Sequence, residues 1–477
     1  MTKPANELTL EEAARALRAG ALTVRTLWGA CATAAEEKNP SLNAYLEIFD
    51  ADDAAIEAAQ KRIDEEGEKA PLLCGIPLAL KDNILVEDKV ASAASKMLEC
   101  YRATYDATVV KKLRAHNALF LGRTNMDEFA LGGSTEHSAF GVTRNPHDPT
   151  RVAGGTSGGS AAAVAAHLCI AALGTDTGGS VRNPASYCGV VGVKPTYGGV
   201  SRSGIIAAAS SFDQVGVLAK TVADARTVLD AITGPDPLDS TTLAAPRREK
   251  TIAPRRIGVL HDALRGEGIA AEVKEAFETE LTALKRAGYE LVDIALPSAA
   301  PALAAYYIIN FAEVSTNLAR FDGIRYGLAK RGDTLLDDYL LSRSEGFGPE
   351  TQRRILLGTF VLSSGYIDAY YRKAVAARSL LAQDFARAFE SVDVIATPTM
   401  PAPAFAIGEK GDPLSMYLED LFTVTANLAG IPAISVPMKT VSYEGAQLPA
   451  GMQFLAPHTA EDALFAVGAA VEKLHRA

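Results

Sequence analysis

Twelve of the chain's 39 glycines fall between residues 154 and 204. Glycine at that density calls for tight turns and backbone passing close to other groups, and it works against long regular helices. Two loops in this stretch each end on a serine. They are Gly154-Gly155-Thr156-Ser157-Gly158-Gly159-Ser160 and Gly174-Thr175-Asp176-Thr177-Gly178-Gly179-Ser180. Between them Ser160–Ala172, made of small residues, reads as a helix or helix–strand segment suited to burial.

The rest of the chain supplies the frame. Residues 8–66 are helical in period, with Thr9 at a helix start and an acidic first turn behind it. At Leu72 the texture changes, and Gly75–Lys81 reads as a short apolar strand ending on a lysine. Residues 107–122 read as a helix and then a strand at Ala118–Leu121. The Pro-rich, charged stretch 240–254 is a candidate boundary. Beyond it come a strand at Ile257–Leu260, an amphipathic helix over Ile269–Ala287 and a strand at Tyr289–Ile294. Residues 300–392 are mostly helical; strands follow at Val392–Pro398, Ala433–Val436 and Gln453–Leu455, and a closing helix starts at Glu461. Strands and helices alternate over most of the length, which predicts an α/β fold around a central, largely covered sheet.

Composition narrows the class of protein. Apolar residues make up 48% and charged residues 22%, the mix of a soluble globular protein. A net charge of -10 argues against unaided binding to a nucleic-acid backbone. Cys31, Cys74, Cys100, Cys169 and Cys188 are odd in number and form no C-x-x-C pair, so they read as free thiols of a reducing compartment. The seven histidines show no metal-ligand spacing. The first residues, MTKPANELTLEEAARAL, are polar and then amphipathic, unlike a signal peptide. The longest apolar stretch, Ala161–Leu173, is broken by His167 and is too short to span a bilayer. The expected location is the cytoplasm.

Three features carry chemistry. Lys81 ends an apolar strand, so its amine either reaches solvent or sits desolvated and neutral, able to accept a proton. Thr177–Ser180 can bend into a nest of backbone N–H groups converging on one point, which stabilises the oxyanion of a tetrahedral intermediate. Ser180 at the end of that nest is placed to attack the same carbonyl. The alternatives are an ordinary glycine turn or a phosphate cradle, although no G-K-[ST] follows. Gly155-Thr156-Ser157-Gly158-Gly159 also satisfies the G-x-S-x-G nucleophile elbow. That elbow needs a strand before it, where this chain has Asn145-Pro146-His147-Asp148-Pro149, and a later histidine, for which only His261, His458 and His475 are available.

Lys81, the 154–160 loop, the 174–180 loop and Val181-Arg182-Asn183-Pro184 together resemble the amidase signature family; Ser180 lies 24 residues beyond Thr156. The resemblance implies a single unit over 1–477 with a mixed central sheet covered by helices on both faces. Its parts would be an N-terminal helical region (1–70), a signature core (71–235) and the mostly helical 300–392. It implies Ser180 as nucleophile, the residue at 156, held by a cis peptide bond, as bridge, Lys81 as proton acceptor, and N–H groups around Thr177–Gly179 as oxyanion hole. It implies no metal and no cofactor in this chain. The family carries serine at the bridging position, where this chain has Thr156, and usually proline where it has Ala153. Threonine keeps the relaying hydroxyl but is stiffer at χ1, and Ser157 is a neighbouring hydroxyl for the same role.

Stretches outside the signature narrow the resemblance. Ala305–Ile309, Asn317–Gly327, Arg343–Gly348, Arg353–Thr359 and Asn427–Pro432 are similar to the glutaminase A subunits of Glu-tRNA(Gln)/Asp-tRNA(Asn) amidotransferases. Those subunits release ammonia from glutamine. It passes to a B subunit that uses ATP and Mg²⁺ on the mischarged tRNA, and a small C subunit wraps the pair. The resemblance implies that tRNA is met only through the partner and that there is no membrane contact. Arg354, with Arg353 beside it, would grip the carboxylate of glutamine, Asp420 its ammonium, and Tyr306 would lie nearby. Two other outcomes stay open: a free-standing amidase on another amide, and a catalytically silent subunit in which Thr156 is the lesion.

Overall fold

A strand that is buried on every side chain must be covered on both faces, because successive side chains point to opposite sides of the sheet. Pro77–Lys81, Ala171–Asp176, Gln214–Ala219 and Gly451–Leu455 are buried along their whole lengths. The structure, a computed structural model, describes residues 3–245, 253–261 and 268–476. In chain order the strands are β1 (Tyr45–Ile48), β2 (Pro77–Lys81), β3 (Leu119–Thr124), β4 (Ala171–Asp176), β5 (Val191–Lys194), β6 (Gln214–Ala219), β7 (Arg256–Val259), β8 (Glu290–Asp293), β9 (Val394–Pro398), β10 (Ala433–Pro437), β11 (Val441–Tyr443), β12 (Ala446–Leu448) and β13 (Gly451–Leu455). β11 and β12 form a separate hairpin. The others join one eleven-stranded sheet in the order β1-β3-β2-β4-β6-β5-β10-β13-β9-β7-β8. β2 runs parallel to β3 and β4, and β7 to β8 and β9, while the other neighbours are antiparallel. The sheet is therefore mixed, and helices flank it as the alternating pattern required.

The helices begin and end where local chemistry dictates. Thr9 caps Leu10–Arg18, and Glu12 reaches back to the Thr9 N–H to close a capping box. Val24–Leu42 ends at Asn43 in the left-handed conformation, and Asp52 caps Asp53–Glu66. The 8–66 region is thus three helices, interrupted by β1 at the sheet edge. Four residues are too few to show a strand period, and only pairing with β3 makes Tyr45–Ile48 extended. The same holds for β5, which no local pattern singled out.

Residues 300–392 form the expected helical layer. Ala302–Asn317 packs against Pro349–Leu362 and Tyr371–Ser391. Its apolar side joins Phe212, Phe385 and Val424 in a second core beside the one that fills the sheet. Of the 240–254 boundary, residues 246–252 lie outside the described residues. Among the described residues no helix is long and apolar enough to cross a membrane.

Phe454 is fully buried in β13, between β10 and β9 in the sheet. Phe454→Ala is expected to cost about 3–5 kcal/mol, the usual range for emptying an aromatic site, read as a lowered urea midpoint.

Candidate active site

Because β2 and β4 are parallel neighbours, their C-terminal ends open on the same side of the sheet, where such folds place ligands. Lys81 is the last residue of β2 and is fully buried. Its Nζ lies 2.6 Å from Thr156 Oγ1, 2.9 Å from Thr175 Oγ1 and 3.3 Å from the Thr175 carbonyl. Thr156 follows Gly155 through a cis peptide bond, in the loop ahead of the helix Gly158–Ala165. The Ser157 N–H donates to the Ser180 carbonyl at 3.1 Å, which joins the two glycine loops. Ser180 is 7% exposed, in the turn between β4 and the helix Arg182–Cys188. The structure therefore brings Lys81, Thr156 and the Ser180 turn together. Ser157 Oγ instead bonds the β4 backbone at Thr175, so the neighbouring hydroxyl is turned to the sheet and Thr156 faces the lysine. Among the described residues no strand leads into the 154–160 loop, so the nucleophile-elbow reading finds no support.

Burial pushes the Lys81 amine down to about 7, against the pull of the Asp127, Asp176 and Asp213 carboxylates. A neutral amine has two N–H donors and one lone pair. The Thr175 carbonyl can only accept. Thr175 Oγ1 already accepts from Asn83 Nδ2 at 3.1 Å and is suited to accept again from the lysine. That leaves the Thr156 hydroxyl to donate into the lone pair, the direction in which a proton must travel for Lys81 to act as base.

One buried ion pair that the sequence reading did not single out holds the turn. Asp176 and Arg182 are both 0% exposed and 2.9 Å apart. Burial opposes the charge on Asp176, yet the Arg182 guanidinium outweighs it and holds the carboxyl at about 2. Asp176 also accepts from the Gly179 N–H at 3.0 Å and the Val181 N–H at 3.2 Å. Gly179 is therefore not a free donor, in contrast to the expectation for Thr177–Gly179. Among the described residues, the N–H groups of Thr177, Gly178 and Ser180 meet no protein acceptor. Thr177 Oγ1 donates to Asp213 at 2.7 Å; burial pushes the Asp213 carboxyl up to about 6. The signal for Asp176 was available in the sequence: a carboxylate at the end of an apolar strand must find a partner.

The three expected recognition residues gather beside this turn. Gly178 packs so closely on Tyr306 that a β-carbon there would collide with the Tyr306 hydroxyl. Asn310, one turn further along that helix, lies 3.5 Å from the same hydroxyl and 3.3 Å from Arg354 Nη1. Arg354 is buried, pairs with Glu350 at 2.7 Å and lies over the rings of Tyr307, Phe311 and Tyr417. The Glu350 carboxylate raises its pKa above the ordinary arginine value against the cost of burial. Arg353 points outward, 43% exposed, and pairs with Glu350 from the solvent side. Asp420 accepts from the Tyr307 hydroxyl at 2.6 Å, and burial pushes its carboxyl up to about 7. Tyr307 was missed by sequence reasoning, although it adjoins Tyr306 in the chain. A cavity of about 410 Å³ opens against Glu350, with His137 and Glu128 in its wall. Among the described residues no group of His, Cys, Asp or Glu is placed to hold a metal ion.

The amidase family model matches residues 27–465. The chain belongs to the amidase family. It is 51% identical over 474 residues to the A subunit of glutamyl-tRNA(Gln) amidotransferase of Acidobacterium capsulatum, covering 97% of this chain and 98% of the relative. The crystal structure of the A subunit of glutamyl-tRNA(Gln) amidotransferase from Thermotoga maritima superposes with a TM-score of 0.79 at 38% identity, over 99% of this chain and 96% of that one. The native peptide amidase of Stenotrophomonas maltophilia superposes with a TM-score of 0.81 at 31% identity, over 99% and 98%. This amidase is thus an enzyme of amide-bond chemistry.

The Lys81 environment has a signature in stability. Below about 7 the amine is charged in both the folded and the unfolded chain. From there up to the ordinary lysine value only the unfolded chain holds the proton, so stability rises with pH across that window. Lys81→Met removes the dependence. The difference in unfolding free energy, variant minus wild type, is expected to shift in favour of the wild type between pH 7 and pH 10 in urea titrations; a constant difference would contradict a depressed Lys81.

Proposed function

We propose that this chain is the glutaminase subunit of a Glu-tRNA(Gln)/Asp-tRNA(Asn) amidotransferase, converting glutamine and water to glutamate and ammonia through an acyl-enzyme on Ser180. The observation that carries the reading is the Lys81–Thr156 hydrogen bond at 2.6 Å, set against a turn that also touches Tyr306. The 51% identity to an amidotransferase glutaminase chain supports the choice of substrate.

In this mechanism glutamine enters with its carboxylate toward Arg354 and its ammonium toward Asp420. Ser180 Oγ attacks the side-chain amide carbon as its proton passes to Thr156 and the Thr156 proton passes to Lys81. The oxyanion is met by the N–H groups of Thr177, Gly178 and Ser180. The Lys81 ammonium returns its proton through Thr156 to the departing nitrogen, and ammonia leaves. Water then attacks the γ-glutamyl ester along the same relay, releasing glutamate and restoring Ser180.

The chain works as one amidase unit over 1–477, in the cytoplasm. A B subunit that consumes ATP with Mg²⁺ receives the ammonia, and a C subunit completes the assembly. A net charge of -10 suits a protein that meets tRNA only through its partner. The likeness to a peptide amidase favours the second reading, a free-standing amidase with the same relay on another amide. A buried arginine and a buried carboxylate beside one turn suit a free amino acid better. The intact Lys81–Thr156 bond supports a working relay over a silent subunit.

Ser180→Ala is expected to abolish ammonia release from glutamine, and Thr156→Ala to lower kcat about a hundredfold or more, the scale of a lost proton-transfer group. Arg354→Ala is expected to raise the glutamine KM about tenfold or more, as loss of a charge-assisted contact does. The glutamine KM of the wild type should fall as pH rises through about 7, because burial keeps Asp420 partly protonated below that value and the ammonium needs the carboxylate. Coupled assay of ammonia with the partner subunits present checks all of these. Full activity in Ser180→Ala would refute the mechanism, and an unchanged KM in Arg354→Ala would refute the recognition role.

A further inference from the structure

Thr423 is fully buried and lies at none of the positions singled out from the sequence. It follows the short 3-10 segment Leu418–Leu421 that carries Asp420, and it touches both halves of the site. Its hydroxyl donates to the Gly178 carbonyl at 2.6 Å. Its backbone N–H donates to the Asp420 carbonyl at 3.1 Å. Its own carbonyl accepts from Arg182 Nη1 at 2.9 Å. Gly179 lies against it, at φ 142, where a β-carbon would collide with the Thr423 hydroxyl.

These bonds fix one peptide plane. The plane between Gly178 and Gly179 has its carbonyl held by Thr423 and its N–H held by Asp176. A peptide unit pinned at both ends cannot rotate. The N–H groups that flank it, those of Gly178 and Ser180, are then set by the turn's own geometry and stay without a protein acceptor. We propose that Thr423 is a positioning residue for catalysis, whose hydroxyl holds the Gly178–Gly179 peptide so that the neighbouring N–H groups are aligned for the oxyanion. Through its backbone bond to Asp420 the same residue ties the recognition side of the site to that alignment. Asp176 alone would fix only the N–H end of the plane, and the Gly178 carbonyl would be left buried without a partner, a cost that a peptide rotation would relieve.

The assignment rests on the glutaminase reading for its substrate, and the test separates the two. Thr423→Val keeps the shape and removes the donor, whereas Thr423→Ser keeps the donor and removes the methyl. Ammonia release from glutamine is measured on the assembly with its partner subunits. Thr423→Val should lower kcat at least about tenfold, below the full loss of an oxyanion donor, with the KM within about twofold. Thr423→Ser should return kcat to within about threefold of the wild type on the same scale. The reverse order, valine near the wild type and serine impaired, would show that Thr423 only fills space and would overturn the proposal. So would a valine variant that changes the KM alone. If the wild type releases no ammonia from glutamine, the glutaminase reading fails. The proposal is then judged on the rate at which phenylmethylsulfonyl fluoride labels Ser180 in the same proteins: slowed labelling in the valine variant with recovery in the serine variant supports it, and equal rates refute it.

Discussion

Taking an amine out of water costs more when it is charged than when it is neutral, and the Lys81 side of this site follows from that difference. β2 is buried along its whole length, and the side chain that ends it has no contact with bulk solvent. The amine is left with two hydroxyls and one carbonyl, a set that a neutral lysine satisfies with one acceptor interaction. The three carboxylates around it set the balance. They pull the amine toward its charged form, and each is restrained in turn: Asp176 by Arg182, Asp213 by Thr177 and the Ala208 N–H, Asp127 by the N–H groups of Thr135 and His137. A lysine with a single bare carboxylate beside it would stay protonated and could accept nothing.

The Asp176–Arg182 pair plays a different part. A buried pair of this kind is weak evidence for stability, because desolvation offsets most of the attraction. Its value here is geometric. Asp176 orders the Gly179 and Val181 N–H groups, while Arg182 reaches Thr423, Asn427 and Gln453 from the C-terminal third of the chain. The turn that carries Ser180 and the segment bearing Asp420 are thereby built as one object, although 240 residues separate Ser180 from Asp420. The Ser180 turn and the Asp420 segment cannot drift apart without breaking charge-assisted bonds in a dry interior.

Much of this was legible in the sequence because glycine spacing and apolar runs report local geometry. The strand ending on Lys81, the two serine loops and the helical layer over 300–392 are all visible without coordinates. The sequence left Thr156 and Ser157 as neighbouring hydroxyls, with Thr156 named only by the family resemblance, and it takes the fold to show that Thr156 meets Lys81 while Ser157 turns to the sheet. What was not legible depends on pairing across distance. β1 and β5 are too short to carry a period. Gly179 lost its place as a free donor to a carboxylate three residues earlier, a contact that exists only once the turn has closed. Tyr307 outranks nothing in the sequence, yet it is the tyrosine that holds Asp420, because helix phase sends Tyr306 toward Gly178 and its neighbour toward the carboxylate. Thr423 is one of many threonines until its hydroxyl is seen to meet the Gly178 carbonyl.

The account turns on Lys81 being the base. The most direct measurement is the pH dependence of Ser180 labelling by phenylmethylsulfonyl fluoride, whose lack of an ammonium removes the titration of Asp420 from substrate binding. The rate should climb with pH in a single-proton step centred near 7, where burial places the Lys81 amine, and level off above it. A rate that kept rising toward the ordinary lysine value of roughly 10.4 would mean that the amine is solvated and charged at neutral pH, and the relay through Thr156 would be contradicted.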